Sequence, residues 1–180
     1  MIRSRKLLAS CAALTLPLAL AACGDDNDDT TPTTDEPMVV EVVAVDFGFE
    51  QLPETVPAGT RLTLRNDASG ELHELVAFRL DDDETRTIDE LVALPPQDMQ
   101  AALGEPTTVI LAPPASEQIA VPIGDGTLSE PGRYAILCLI PTGADADEYL
   151  TAAAGSDGPP DVAGGPPHIA HGMYVELTVL

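Results

Sequence analysis

The chain predicts an all-β domain, a Greek-key β-sandwich carrying a short helical insertion. Three observations point there. Apolar and polar residues alternate with a period of two from residue 39 onward, about seven such segments recur, and Pro, Gly and Asp clusters separate them. Successive side chains of a strand face opposite ways, so this alternation marks strands with one buried face. Short strands at this spacing pack as two facing sheets.

Val39, Glu41, Val43 and Val45 share one face of a first strand, which leads into Asp46-Phe47-Gly48-Phe49. The turn chemistry of Pro57-Ala58-Gly59 precedes a clean alternation over 60–66, TRLTLRN. Further strands are expected at 73–80, 107–112, 117–122, 133–140 and 173–180. Thr87 followed by Glu90 has the form of a helix capping box, Leu91, Val92 and Leu94 follow, and Pro95-Pro96 ends that helix. Pro96 opens a second helix to Leu103, with Gly104 as its stop. Residues 81–104 therefore read as a helical insertion between two strands. A second long connection, 141–167, is rich in Gly, Ala, Pro and Asp, with a helical turn expected over 144–153. Connections of that length inside a compact domain are usually functional or mobile.

Ahead of the domain the pattern changes. Arg3, Arg5 and Lys6 precede an apolar run, Leu7 to Ala22, that ends Leu20-Ala21-Ala22-Cys23-Gly24. That is the layout of a secretory signal, and its end resembles the lipobox of bacterial lipoproteins, where cleavage precedes the cysteine and its sulfur is acylated. The run is shorter than the roughly 20 residues that a membrane-crossing helix needs. The expected organisation is a signal over 1–22, an acidic disordered tether over 23–37 beginning at the lipidated Cys23, and one domain over 38–180. The tether has six acidic side chains among residues 24–37 and almost nothing apolar to bury.

The formal charge of the chain is −22, and the only basic residues beyond the signal are five arginines. That balance disfavours nucleic acid and anionic lipid as partners and favours cations or a basic protein face. Cys11 leaves with the signal and Cys23 becomes the anchor, so Cys138 has no disulfide partner in an oxidising compartment.

The residues around Cys138 give it a use. His73 opens a strand, Cys138 lies near the end of the penultimate strand, and His168 and Met173 flank the start of the last one. Two imidazoles, a thiolate and a thioether form the donor set of blue copper sites. His171 is an alternative ligand to His168. Singly, each of these residue types more often packs or faces solvent than binds metal. Neither a helix N-terminus nor a flanking signature supports Cys138 as a catalytic nucleophile, and the acidic run Asp81 to Glu84 lacks EF-hand spacing. No enzymatic activity is expected.

Three stretches resemble the plastocyanin/azurin-like cupredoxins. Val56-Pro57-Ala58-Gly59 leads a strand ending in Asn66, with His73 following, as in the first half of that family. Gly132-Arg133-Tyr134 through Cys138 is similar to its G-x-Y-x-x-x-C strand, and Pro167 to Met173 is similar to its P-H-x-x-x-G-M motif. The resemblance covers 39–79 and 132–180. It implies one copper ion held equatorially by His73, Cys138 and His168 with Met173 axial, and its spacing prefers His168 over His171. Two departures stand out. Residues 139–167 separate the cysteine from the second histidine, as though Pro141 and Pro167 were halves of one split motif. Glu74 also replaces the Asn that commonly follows the first histidine and ties the ligand loops together. The expected role is one-electron transfer to an extracytoplasmic redox protein with a basic face, from a lipid anchor on the cell membrane or envelope surface. A copper carrier or store of the same fold, or a metal-free interaction module, are the alternatives.

Overall fold

A computed structural model describes residues 36–68, 70–155 and 158–180. The predicted signal, Cys23 and the tether as far as Asp35 lie outside the described residues. No helix among the described residues is long and apolar enough to cross a membrane.

Among the described residues eleven strands and three α-helices follow in order: β1 Val39–Val45, β2 Gly48–Glu50, β3 Thr55–Val56, β4 Thr60–Asn66, β5 His73–Arg79, α1 Ile88–Val92, α2 Pro96–Leu103, β6 Thr108–Ala112, β7 Ser116–Glu117, β8 Ala120–Ile123, β9 Thr127–Leu128, β10 Gly132–Leu137, α3 Ala146–Ala154 and β11 Tyr174–Val179. One sheet has the order β2-β1-β4-β7, with β9 also paired to β4. The other has the order β3-β11-β10-β5-β6-β8. Both are mixed, because β1 runs parallel to β4 and β3 parallel to β11. The chain crosses between the sheets at β2–β3, β3–β4, β4–β5, β6–β7, β7–β8, β8–β9 and β9–β10, which gives the predicted sandwich.

The alternating strands bury their apolar faces between the sheets. Val40, Val42 and Ala44 of β1 and Leu62 and Leu64 of β4 meet Leu75, Ala77, Tyr134, Ile136 and Leu177 of the other sheet. Fully burying a large aliphatic side chain contributes about 1.5–3 kcal/mol. Strand β5 departs from alternation because both its faces are covered. Leu75 and Ala77 face the main core, while Val76 and Phe78 join a second cluster with Leu91 of α1 and Leu103 of α2. The helical insertion thus roofs the outer face of the second sheet, which explains the unbroken apolar run of β5. The capping box forms as predicted: Glu90 N–H donates to Thr87 Oγ1, and Thr87 N–H to the Glu90 carboxylate at 2.8 Å. Arg133 fastens this roof, donating to Glu176 at 2.7 and 2.9 Å and to the carbonyls of Glu84 and Arg86 at 2.7 Å each.

The expected strand over 117–122 is in fact two. Ser116–Glu117 pairs with β4 in one sheet, and Ala120–Ile123 pairs with β6 in the other. Gln118 makes the crossing, its N–H donating to the Leu64 carbonyl while its Oε1 accepts from Leu64 N–H. Gly126, in the turn before β9, has φ +90°, and a Cβ there would lie 2.5 Å from the Leu62 carbonyl oxygen. Gly126→Ala is therefore expected to lower stability by about 1–3 kcal/mol from backbone strain, with overlap adding to it, as read by urea unfolding.

Candidate metal centre

Strand register assembles the site at one end of the second sheet. His73 opens β5, Cys138 directly follows β10, and Met173 directly precedes β11; these are neighbouring strands. Cys138 continues the parity of Tyr134 and Ile136, so its sulfur points into the sandwich. Cys138 N–H donates to the Met173 carbonyl at 3.1 Å, extending the β10–β11 ladder by one step.

The 29 residues between Cys138 and His168 leave and return through a narrow neck. Pro141 and Pro167 form an antiparallel bridge. Thr142 donates to the Pro166 carbonyl through its N–H at 3.1 Å and its hydroxyl at 2.7 Å, and Gly165 N–H donates to the Thr142 carbonyl at 2.8 Å. Inside the neck, His168 N–H reaches the Ile140 carbonyl and Ile169 N–H the Cys138 carbonyl, each at 3.0 Å. The split motif is rejoined in space, and α3 fills the excursion close to the expected turn.

His168 starts a short 3-10 turn, His168–His171, which ends at Gly172 with φ +96°. The turn carries His168 inward. His73, Cys138, His168 and Met173 are all fully buried. The donor atoms of His73, Cys138 and His168 lie within 4.8 Å of one another. His73 Nδ1 is 3.1 Å from His168 Nδ1, and Cys138 Sγ is 3.3 Å from His168 Nδ1 and 3.9 Å from His73 Nδ1. Nitrogen and sulfur donors bind a first-row metal such as zinc at about 2.0–2.3 Å, so donors sharing one ion stand roughly 3.3–3.8 Å apart. The observed triangle fits one metal ion, and two imidazoles with a thiolate are a set suited to copper. Met173 joins these residues through its backbone, donating from its N–H to the His168 carbonyl at 3.2 Å.

Burial sets the protonation of the donors. It lowers the pKa of His73 to about 4, with the neighbouring His168 adding to the effect, and both imidazoles stay neutral at pH 7. For His168 the Glu71 carboxylate opposes that burial effect. Burial also pushes the Cys138 thiol up, reinforced by the charge of Glu74, so without a cation the sulfur keeps its proton.

His171 takes a different place. Its exposed ring packs 4.6 Å from that of Phe47, and Phe47 meets His168 edge-on at 5.1 Å. Phe47 itself sits at φ +59° in the tight β1–β2 turn, an uncommon conformation for a residue with a side chain. Tyr134 is core, with its hydroxyl donating to the Glu130 carbonyl.

Glu74 restores the tie that the missing Asn put in question. Its buried carboxylate accepts from Leu139 N–H at 3.0 Å and from the Tyr149 hydroxyl of α3 at 3.2 Å, and its N–H approaches Cys138 Sγ at 3.4 Å. Burial raises its pKa to about 7 against the lowering effect of those two donors. The residue after the first histidine therefore binds the cysteine loop and the insertion helix together. Tyr149→Phe removes one donor from this buried carboxyl group and is expected to destabilise the protein by about 1–3 kcal/mol in urea unfolding. Glu74 was singled out from sequence only as a departure from that Asn, and Glu71 and Tyr149 were not singled out at all. In so acidic a chain nothing distinguishes Glu71 from a solvated glutamate.

No protein-family model matches the chain, and a search of curated proteins finds no match. Solved structures to which it is similar include sodium-dithionite-reduced auracyanin from the photosynthetic bacterium Roseiflexus castenholzii, at 20% identity and TM-score 0.44, covering 79% of this chain and 97% of that one. Auracyanin B follows at 21% identity and TM-score 0.38, covering 81% of this chain and 91% of that one. Auracyanin A of Chloroflexus aurantiacus, described as a "blue" copper protein, matches at 18% identity and TM-score 0.35 over 57% of this chain and 87% of that one. At these values the reading of the site rests on its own side chains.

Proposed function

We propose that this protein is a lipid-anchored extracytoplasmic electron carrier that holds one copper ion through His73, Cys138 and His168, with Met173 as the axial donor. One observation carries the reading: two neutral imidazole Nδ1 atoms and a thiol sulfur converge in a fully buried cluster. Burying polar groups without full hydrogen bonding is costly, and a cation shared by the two Nδ1 atoms and the sulfur would offset the crowding of three buried donors that lie 3.1, 3.3 and 3.9 Å apart.

Bound copper supplies a reversible one-electron couple. The chain's part is to exclude water, to hold His73 and Cys138 at strand ends and His168 on a 3-10 turn, and to keep both imidazoles neutral so that their lone pairs are available. With Met173 as a fourth donor the site would offer no open position for a substrate, which supports carriage over catalysis. Phe47 and His171 lie between His168 and solvent, a short aromatic path for an electron. The acidic surface suits a partner with a basic face. Acylation of Cys23, followed by an acidic tether, supports attachment to the membrane surface.

Copper loading tests the reading. Intense visible charge-transfer absorption and a narrow copper hyperfine splitting in EPR are expected. Colourless reversible Cu(I) binding would favour a carrier or store, and no retention after dialysis would favour a metal-free module.

A further inference from the structure

A carboxylate stands behind one of the two imidazoles and not behind the other. Glu71 Oε2 lies 3.4 Å from His168 Nε2. His73 Nε2 is buried with no hydrogen-bond partner among the described residues. The Glu71 contact falls outside hydrogen-bond geometry, yet attraction between an N–H dipole and a carboxylate persists at that separation in a low-dielectric setting. The carboxylate is itself held. Gly143 N–H, in the 141–167 insertion, donates to the same oxygen at 3.0 Å, and Asn66 Nδ2 donates to the Glu71 backbone carbonyl at 2.9 Å.

We infer that Glu71 is a positioning residue that fixes His168 as the Nε2–H tautomer, so that its Nδ1 lone pair faces Cys138 and His73 before any metal arrives. The inference rests on the copper reading for its purpose but not for its test. A ligating histidine commonly donates its other N–H to a carboxylate, which sets ring tautomer and basicity.

The geometry of the second imidazole follows. Two Nδ1 atoms 3.1 Å apart cannot both present lone pairs without repulsion, so one carries a proton. With His168 Nδ1 bare, that proton is on His73, whose Nδ1–H donates to His168 and whose bare Nε2 needs no acceptor. Metal uptake then moves one imidazole proton, from Nδ1 to Nε2 of His73, and releases one proton to solvent, that of the Cys138 thiol. His168 changes nothing. It is the preformed ligand and His73 the one that switches.

Long-range proton–nitrogen NMR of the metal-free full chain, labelled with ¹⁵N, reads the tautomers directly. The expected pattern is a protonated Nε2 on His168 and a protonated Nδ1 on His73. In Glu71→Ala the His168 signal should become that of a mixture, with Cu(I) affinity falling about 10–100-fold; Glu71→Gln, which keeps an acceptor oxygen, should restore both. A His168 protonated at Nδ1 in the wild type overturns the inference, and so does an unchanged His168 tautomer in a folded Glu71→Ala. Should that variant misfold, Glu71→Leu, closer in size and likewise without an acceptor, reads the same dependence. A protein with the expected tautomers that takes up no copper sinks the proposed function and leaves this inference standing. Copper uptake with a Glu71-independent tautomer does the opposite.

Discussion

A Cys138→Ser variant is expected to fold and to lose all sulfur-to-copper charge-transfer absorption. The site has one sulfur able to become a thiolate, fully buried and 3.3 Å from His168 Nδ1. A serine hydroxyl is close in size and can donate to that nitrogen, so the loss of folding stability should stay within about 1–2 kcal/mol. The hydroxyl does not ionise at neutral pH and is a hard donor, so copper retention should fall with the colour. Absorption spectra and dialysis of copper-loaded wild type and variant, with urea unfolding of both, check the two halves separately. A variant that keeps the intense band would remove Cys138 from the site. Any spectral effect of His171→Ala should be far smaller, because that ring is exposed and stacked on Phe47.

Replacing Glu74 by a side chain that does not titrate is expected to expose an acid-induced loss of stability in the metal-free protein, from about pH 6.5 downward, that Glu74 itself largely offsets. His73 titrates near 6.5 when unfolded and at about 4 when folded. The unfolded chain therefore binds more protons between those values, and stability is fully present above pH 6.5 and lost as pH falls toward 4. A shift of that size corresponds to about 3 kcal/mol, and His168 acts in the same direction. Glu74 opposes it. Its pKa rises from 4.5 unfolded to about 7 folded, so its contribution is full below pH 4.5 and disappears as pH rises through 7. Cys138, Tyr149 and Glu71 are the titratable groups around this pair; the first two are pushed up and stay protonated across the window. Urea unfolding of wild type and Glu74→Gln at pH 7.5, 6 and 4.5 should show a wider acid loss in the variant, by about 1–3 kcal/mol. Parallel curves would mean that Glu74 does not titrate in this range.

Much of the donor set was legible along the chain because its order follows strand order. His73, Cys138 and Met173 lie at or beside strand ends, His168 lies in the turn that leads into the last strand, and period-two alternation locates strands without tertiary information. The capping box at Thr87 and the opening of α2 by Pro96 were legible for the same reason, since each is decided within a few residues. Segment 116–123 was not. Its apolar residues suit either sheet, and only Gln118 bonding to Leu64 shows where the chain crosses. The run HELVAFR of β5 carries consecutive apolar residues, but nothing local said that α1 and α2 cover its outer face.

What the sequence determined by itself is therefore the local chemistry: strands by alternation, helices by their caps, and donors by residue type and order. What the tertiary structure alone decided is which groups meet across long separations. Glu74 reaches Tyr149, Glu71 reaches Gly143 and His168, and the Pro141–Pro167 neck rejoins a split motif. The reason is physical. Alternation and capping are settled among near neighbours, whereas a carboxylate's partner depends on how a whole insertion folds back, and no short-range pattern along the chain encodes that closure.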